Sequence, residues 1–286
     1  MRWKGGRRST NVDDRRGRSI GGAAIGGGTA LIALLAALIF GVDPGAVTDI
    51  LGGDGARQNQ QQAPGEGGLD AQDPNAEFAR VMKGSLADVW GQIFAQNDDR
   101  YQPATLVLYD QIVGSACGTN SAATGPFYCP GDQSVYLDLS FLRQLKQLGA
   151  PGDFAFAYVI AHEAGHHIQR LSGTEQQVRQ LQQQVGQRDR NALSVLMELQ
   201  ADCYAGVWAH YVNRRDGEVA LEPGDVEEGL RAAAAIGDDR LQEMAGQSVQ
   251  PESFTHGSSE QRAQWLRTGL ETGDPSACDP FEQAGL

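Results

Sequence analysis

The pattern of apolar and polar positions divides this 286-residue chain into unlike stretches. Residues 20–42 read IGGAAIGGGTALIALLAALIFGV, 23 residues without a charge. That is enough to cross a bilayer as one helix. The strongly apolar part runs from Ala30 to Val42, after a Gly- and Ala-rich half. The run is long for the apolar core of a signal peptide, and no small-x-small cleavage site follows Phe40. A retained transmembrane helix is therefore favoured over a cleaved leader. Residues 43–72 are rich in Gly, Gln, Ala and Pro and poor in aromatics. Such a stretch reads as a flexible linker with no core of its own.

From residue 73 the pattern is that of a folded domain. Asp73-Pro74 is an N-cap followed by proline at the first helical position. Phe78, Val81, Met82, Val89, Trp90, Ile93 and Phe94 follow at helical spacing, with Gly84 a weak point. Thr105 to Tyr109 is a β-rich run, and Ser134 to Leu139 alternates as a second strand. Between them lies a Gly-rich loop, Gly114 to Gly131, holding Cys117 and Cys129. Leu142 to Leu148 reads as a short helix. Asp153 is the expected N-cap of the next helix, Phe154 to Leu171, with Gly173 as its stop. Its first half is apolar nearly all round, which predicts burial. Thr174 to Arg190 reads as a Gln-rich, exposed helical arm with Thr174 and Gln177 as a capping box. Ala192 to Arg214 follows as a strong helix. Asp225 and Glu228 read as the capping box of a helix reaching about Gln247, and Ser258 or Ser259 caps the last helix. The expected fold class is α+β: a mostly helical domain, 73–286, with a small β-sheet, behind one transmembrane helix.

Charge adds a direction. The chain carries a net −13. Yet residues 1–20 hold seven basic residues (Arg2, Lys4, Arg7, Arg8, Arg15, Arg16, Arg18) against Asp13 and Asp14. An acidic body repels phosphate, which argues against nucleic acid as a partner. Arginines before the apolar run and Asp43, Asp49 and Asp54 after it follow the positive-inside rule. On that rule residues 1–19 are a basic cytoplasmic tail, and the domain is extracytoplasmic on a single-pass cell-membrane anchor.

The candidate chemistry sits in Ala161-His-Glu-Ala-Gly-His-His167. His162 and His166, four apart, share one face of a helix, so both imidazoles can reach one metal ion. Glu163 beside them can take a proton from an attacking water. Because the helix is predicted to be buried, such polar groups need a metal or a hydrogen-bond network. A catalytic zinc site takes three protein ligands and leaves one position open. Glu198-Leu-Gln-Ala-Asp202 supplies an acidic pair on one face of an otherwise apolar helix. Glu198 is the candidate third ligand, and Asp202 the residue that orients a ligand histidine.

His162 to His166 followed by Glu198 to Asp202 resembles the gluzincin class of metallopeptidases. More closely, Gly125–Pro130, Val135–Asp138, Ala161–Gln169, Leu199–Ala209 and His256–Arg262 together resemble a bacterial family of neutral zinc metallopeptidases. The resemblance covers roughly residues 75–281, with the basic head and single anchor. It implies an endopeptidase holding one zinc ion and hydrolysing peptide bonds in a peptide or protein substrate, with Glu163 as general base. By resemblance to gluzincins, His256 is the candidate donor to the oxyanion. Arg262 is expected to be structural, His167 to turn from the metal, and His210 to sit at a helix end. The strand from Val135 to Leu139 is a candidate for pairing with extended substrate, or else a plain inner strand.

Cys117, Cys129, Cys203 and Cys278 suit an exported, oxidising location. Four cysteines allow three pairings; Cys117 with Cys129 and Cys203 with Cys278 is preferred, and zinc ligation by cysteine is the rival. The alternative to an enzyme is a non-catalytic membrane-anchored binding module, stapled by a structural metal. Glu163 separates the two, since a structural site needs no base.

Overall fold

A computed structural model describes residues 1–17, 73–214 and 218–286. The expected transmembrane helix at 20–42 and the linker at 43–72 lie outside them. Among the described residues no helix is long and apolar enough to cross a membrane.

The four-stranded sheet begins with a strand the sequence did not suggest. Strand β1 (Val12–Asp14) pairs in parallel with β2 (Thr105–Tyr109), Val12 opposite Leu106 and Asp14 opposite Leu108. The hairpin β3 (Ile112–Ser115) and β4 (Gly118–Ser121) stands apart as its own two-stranded sheet. Strand β5 (Phe127–Cys129) pairs antiparallel with β6 (Ser134–Asp138), and β6 pairs in parallel with β2. The order is therefore β1-β2-β6-β5, with β1 and β5 at the edges.

Residues 1–17, expected as part of a tail, pack against the domain that begins at 73. Helix α1 (Pro74–Gln96) is capped by the Asp73 carboxylate, as predicted. The head lies along it. Trp3 packs edge-on to Phe78 at 5.2 Å between centroids, Ser9 N donates to Arg80 O, and Arg7 and Arg8 pair with Asp88 and Glu77. Arg16 joins Asp14 at 2.8 Å and Asp73 at 2.5 Å. Gly84, a weak point by propensity, is where the head comes closest: a Cβ there would lie 2.1 Å from the Arg7 carbonyl oxygen. Arg7, Arg8 and Arg16, three of the arginines behind the expected cytoplasmic tail, find carboxylates on this domain.

Helix α2 (Phe141–Gln147) leads to the central helix α3 (Asp153–Ser172). Gly152, not Asp153, occupies the cap position, and Asp153 Oδ1 instead lies 2.9 Å from the Met1 nitrogen. Helix α4 (Thr174–Gln182) has Gly173 at its cap and no capping box from Thr174. Only then does α5 (Gln187–Arg214) begin, so the Gln-rich arm is not one continuous helix. The helix predicted from Asp225 to Gln247 divides into α6 (Asp225–Ala235) and α7 (Asp238–Met244) at Ile236-Gly237. Glu228 makes no capping box; its carboxylate accepts from Ala155 N at 2.8 Å. Helix α8 (Ser259–Thr272) has the predicted capping box from Ser258 and Gln261, and α9 (Pro280–Gln283) ends the chain's regular structure.

Helices α1, α3, α5, α6 and α8 and one face of the sheet enclose the core, with Trp90, Trp208, Phe154, Phe156 and Tyr158 buried in it. Helices α3 and α5 cross closely because Gly165 faces Ala201: a Cβ on Gly165 would stand 2.9 Å from the Ala201 Cα. Both preferred disulfides are present, Cys117–Cys129 and Cys203–Cys278. Cysteine is thereby excluded as a metal ligand. The first bridge ties β5 to the β3–β4 hairpin; the second ties the C-terminal tail to α5.

Candidate functional site

The α3–α5 crossing sets the site. Its close approach puts one face of each helix within side-chain reach of the other. His162 and His166 project from α3 and Glu198 from α5. His162 Nε2 lies 3.1 Å from Glu198 Oε2, and His166 Nε2 lies 3.4 Å from Glu198 Oε1. One ligand atom from each of the three falls within 4.8 Å of the others.

The remaining ring nitrogens are tied back into the protein. His162 Nδ1 is 2.7 Å from Asp202 Oδ1, and His166 Nδ1 is 2.9 Å from Gln169 Oε1. Each carboxylate or amide oxygen accepts the Nδ1 proton, so each Nε2 faces ionised Glu198, donates to it when protonated, and is the nitrogen a metal would take in the proton's place. Asp202 is fully buried and does more than orient His162. Tyr158 OH donates to it at 2.5 Å, and Arg262 donates from Nε at 2.9 Å and from Nη2 at 3.0 Å. Arg262 is thus structural, as expected, and buried with its partner. Gln169 is held in turn. Its amide donates to Met197 O at 2.7 Å and to Gln200 Oε1 at 3.1 Å, and Gln200 donates to the Cys278 carbonyl at 2.8 Å. A line of hydrogen bonds therefore runs from His166 to the residue that closes the second disulfide.

Without a metal the cluster is a knot of coupled charges. Burial alone would lower the His162 pKa, but Asp202 and Glu198 outweigh it and raise it to about 10. His166 is also raised, by Glu198 against burial. Burial would raise Glu198 and Asp202, yet the histidines hold Glu198 well below the carboxylate range, and Arg262 and His162 lower Asp202. Glu163 shifts the other way: burial pushes its carboxyl up, and the two histidines only partly oppose that. Proton-loving nitrogens beside an ionised carboxylate are a donor set that a divalent cation satisfies in place of protons. Two imidazoles and one carboxylate suit zinc, and they leave a coordination position open.

His162, Glu163, His166, Glu198, His256 and Arg262 line one cavity of about 410 Å³. Its apolar wall includes Phe127, Phe141, Leu148, Val159, Ile236 and Leu241. His256 is exposed, and its Nδ1 lies 3.1 Å from Asp238 Oδ1. The other oxygen of Asp238 accepts the backbone N–H groups of Thr255, His256 and Gly257, which fixes the loop. Although half of its side chain is open, partial loss of water around the ring lowers the His256 pKa, but Asp238 and the more distant Glu198 raise it overall.

Of the two readings of the strand from Val135 to Leu139, the second holds. β6 is an inner strand, paired with both β2 and β5, so it has no free edge. The edge facing the cavity is β5, and residues 123–128 line the cavity wall. Tyr128 of β5 donates its hydroxyl to His167 Nδ1 at 2.9 Å, and His167 Nε2 donates to Gln102 O at 2.6 Å. His167 thus turns from the ligand cluster, as expected, and ties the edge strand to α3. His210 lies away from the site, with Nδ1 bonded to Leu270 O.

Sequence reading missed Tyr158, Gln169, Gln200 and Asp238. The first two carried a usable signal, lying four residues before His162 and three after His166 on the same helix face. Asp238 carried none, since only the fold brings α7 to the loop that holds His256.

A helix-borne His-Glu-x-x-His pair completed by a glutamate from a second helix, with an aspartate one turn further on, defines a gluzincin-type metal site. The chain belongs to the family described as "Putative neutral zinc metallopeptidase", whose pattern matches residues 1–281 and so includes the head. It is 46% identical to YpfJ of Escherichia coli strain K12, over 98% of this chain and 99% of that protein. It is 39% identical to Rv2575 of Mycobacterium tuberculosis strain H37Rv, over 87% of this chain and 86% of that one. No solved structure matches the chain.

Proposed function

We propose that this protein is a zinc-dependent endopeptidase, with His162, His166 and Glu198 holding the ion. The observation that carries the reading is the convergence of these donors in a cavity that Glu163 also lines. Zinc bound there would supply Lewis acidity, polarising an attacking water and a peptide carbonyl. The chain's own groups do the rest. Glu163, buried at the cavity wall, takes a proton from the water and delivers it to the leaving amine. Asp202 and Gln169 keep the ligand histidines in one tautomer. His256, steadied by Asp238, donates a hydrogen bond to the oxyanion at the cavity mouth. An extended peptide pairs with the free edge of β5, which aligns its backbone along the cavity.

A structural metal in a binding module fits these residues less well. Such sites close the fourth position with a further Cys or His. Here all four cysteines are paired as disulfides, His167 is occupied by Tyr128 and Gln102, and His256, the other histidine lining the cavity, is bonded to Asp238.

The uncharged run at 20–42 supports attachment to a membrane, and the two disulfides support an oxidising compartment outside the cytoplasm. The deciding experiment is Glu163→Gln in the full chain, assayed for bound zinc and for cleavage of a proteome-derived peptide library. Zinc retained with hydrolysis lost is the expected result. Undiminished turnover with zinc retained would sink the peptidase reading.

A further inference from the structure

We infer that residues 1–17 are an integral part of the catalytic domain and share its side of the membrane. The inference rests on the membrane attachment proposed above only for its statement about sidedness; the docking of the head stands on the packing alone.

Removing the head would damage the domain at several places. β2 would become the sheet edge, although Leu106, Val107 and Leu108 have no exposed surface. Leu106 N would lose Asn11 O, and Leu108 O would lose Arg15 N, at 3.1 and 2.8 Å. The Asn11 side chain also donates to the carbonyls of Pro103 and Ala104, at 3.1 and 2.9 Å. Asp110 would lose the Gly17 N–H at 2.8 Å. Gly6 fills a gap only glycine fits, since a Cβ there would lie 2.6 Å from Val81 and 2.9 Å from Val219.

The electrostatics agree. Asp14 is lowered below the usual carboxylate range because Arg16 and Arg80 outweigh its burial. Arg7, Arg8 and Arg16 all reach carboxylates of the segment after residue 72. A basic head docked on an acidic body is a complementary interface, and it pairs three of the arginines on which the positive-inside reading rests.

The geometry of the ends completes the inference. Arg16 and Asp73 touch, so the end of the head lies against the start of α1. β1 and β2 pair as strands about 4.8 Å apart, and a bilayer's hydrocarbon is about 30 Å thick, so two segments paired in this way lie on one side of any membrane.

Two readouts test this in the full chain. The first is thermal stability of the purified protein with Gly84→Ala and, separately, Gly91→Ala. Both glycines lie in α1, but a Cβ at Gly91 meets nothing within 4 Å. Alanine favours helix at both positions. A lowered midpoint for Gly84→Ala beside an unchanged or raised one for Gly91→Ala supports the docked head. Equal midpoints would overturn it.

The second readout is Thr10→Cys and Glu271→Cys, two exposed positions, probed with a membrane-impermeant maleimide. The native cysteines are all in disulfides, so only the introduced thiol reacts. Labelling of both in intact cells, or of both only after detergent, places head and domain on one side. Labelling of one before detergent and the other only after it would overturn the inference. Membrane attachment is read separately, from sedimentation with membranes after carbonate washing. Its failure would remove the anchor while leaving the Gly84 result to decide the head.

Discussion

Asp202 Oδ1 lies 2.7 Å from His162 Nδ1, while the opposite nitrogen of the same ring lies 3.1 Å from Glu198. One histidine is thus gripped from behind by one residue of α5 and faced by another a turn earlier. Asp202 also accepts from Tyr158 and Arg262, so a single buried carboxylate fixes a ligand, an aromatic and a guanidinium.

Replacing Asp202 tests that grip. Asp202→Ala leaves Arg262 buried without its main partner, and breaking a buried pair costs about 3–5 kcal/mol. Zinc affinity should also fall by roughly 10–100-fold as His162 loses its orienting partner. Thermal melting and competition with a chelator measure the two effects. Because Asp202 is held below its ordinary pKa, its contribution to stability is present above the usual carboxylate range. It is lost as pH falls through the depressed value.

His166 depends on amides instead. Gln169→Leu is expected to weaken zinc binding by roughly 10-fold through a freed Nδ1. Gln200→Leu should weaken it less, acting one step further away. Both are measured by chelator competition at fixed pH. Equal affinity for wild type and Gln169→Leu would show that this hydrogen bond does not tune the ligand.

The second disulfide closes a sequence separation of 75. Losing it through Cys278→Ser should cost about 4 kcal/mol in loop entropy. The melting midpoint would drop by on the order of 10 °C in a domain of this size. The Cys278 carbonyl also holds Gln200, so zinc affinity should fall in the same variant, read at a temperature where it remains folded.

His256 and Asp238 predict a pH effect. The charges around His256 are Asp238 and Glu198, which raise its pKa, and Arg262, which lowers it, while partial loss of water lowers it further. With the folded value raised, the protonated donor persists to higher pH and is lost as pH climbs through that value. Asp238→Asn should therefore move the alkaline limb of the pH–kcat profile to lower pH. His256→Ala should lower kcat by roughly 10²-fold, the scale for losing one oxyanion donor. An unmoved alkaline limb in Asp238→Asn would remove His256 from the reaction.

The helix carrying His162 and His166 shows what local pattern can carry. The spacing of His162 and His166, the base between them and the acidic pair at Glu198 and Asp202 are all one-turn relationships, and helical periodicity makes them legible. Cap chemistry likewise set the start of α1 at Asp73 and of α8 at Ser258. The cap at Asp153 and the capping box at Asp225 failed for one reason: the carboxylates of Asp153 and Glu228 each had a competing partner elsewhere in the chain. Asp238 behind His256, the edge position of β5 and the burial of Arg262 also depend on distant segments.

The head is the sharpest case. By sequence alone, arginines before an apolar run and acids after it carry one meaning, because charge patterning is read along the chain. The chain itself determined the metal-binding helix face, the candidate third ligand and the paired-cysteine chemistry. Only the tertiary structure decided that the same arginines answer Glu77, Asp88 and Asp73. Ion pairing and strand pairing act through space, and residues 1–17 meet their partners across intervals that no local periodicity spans.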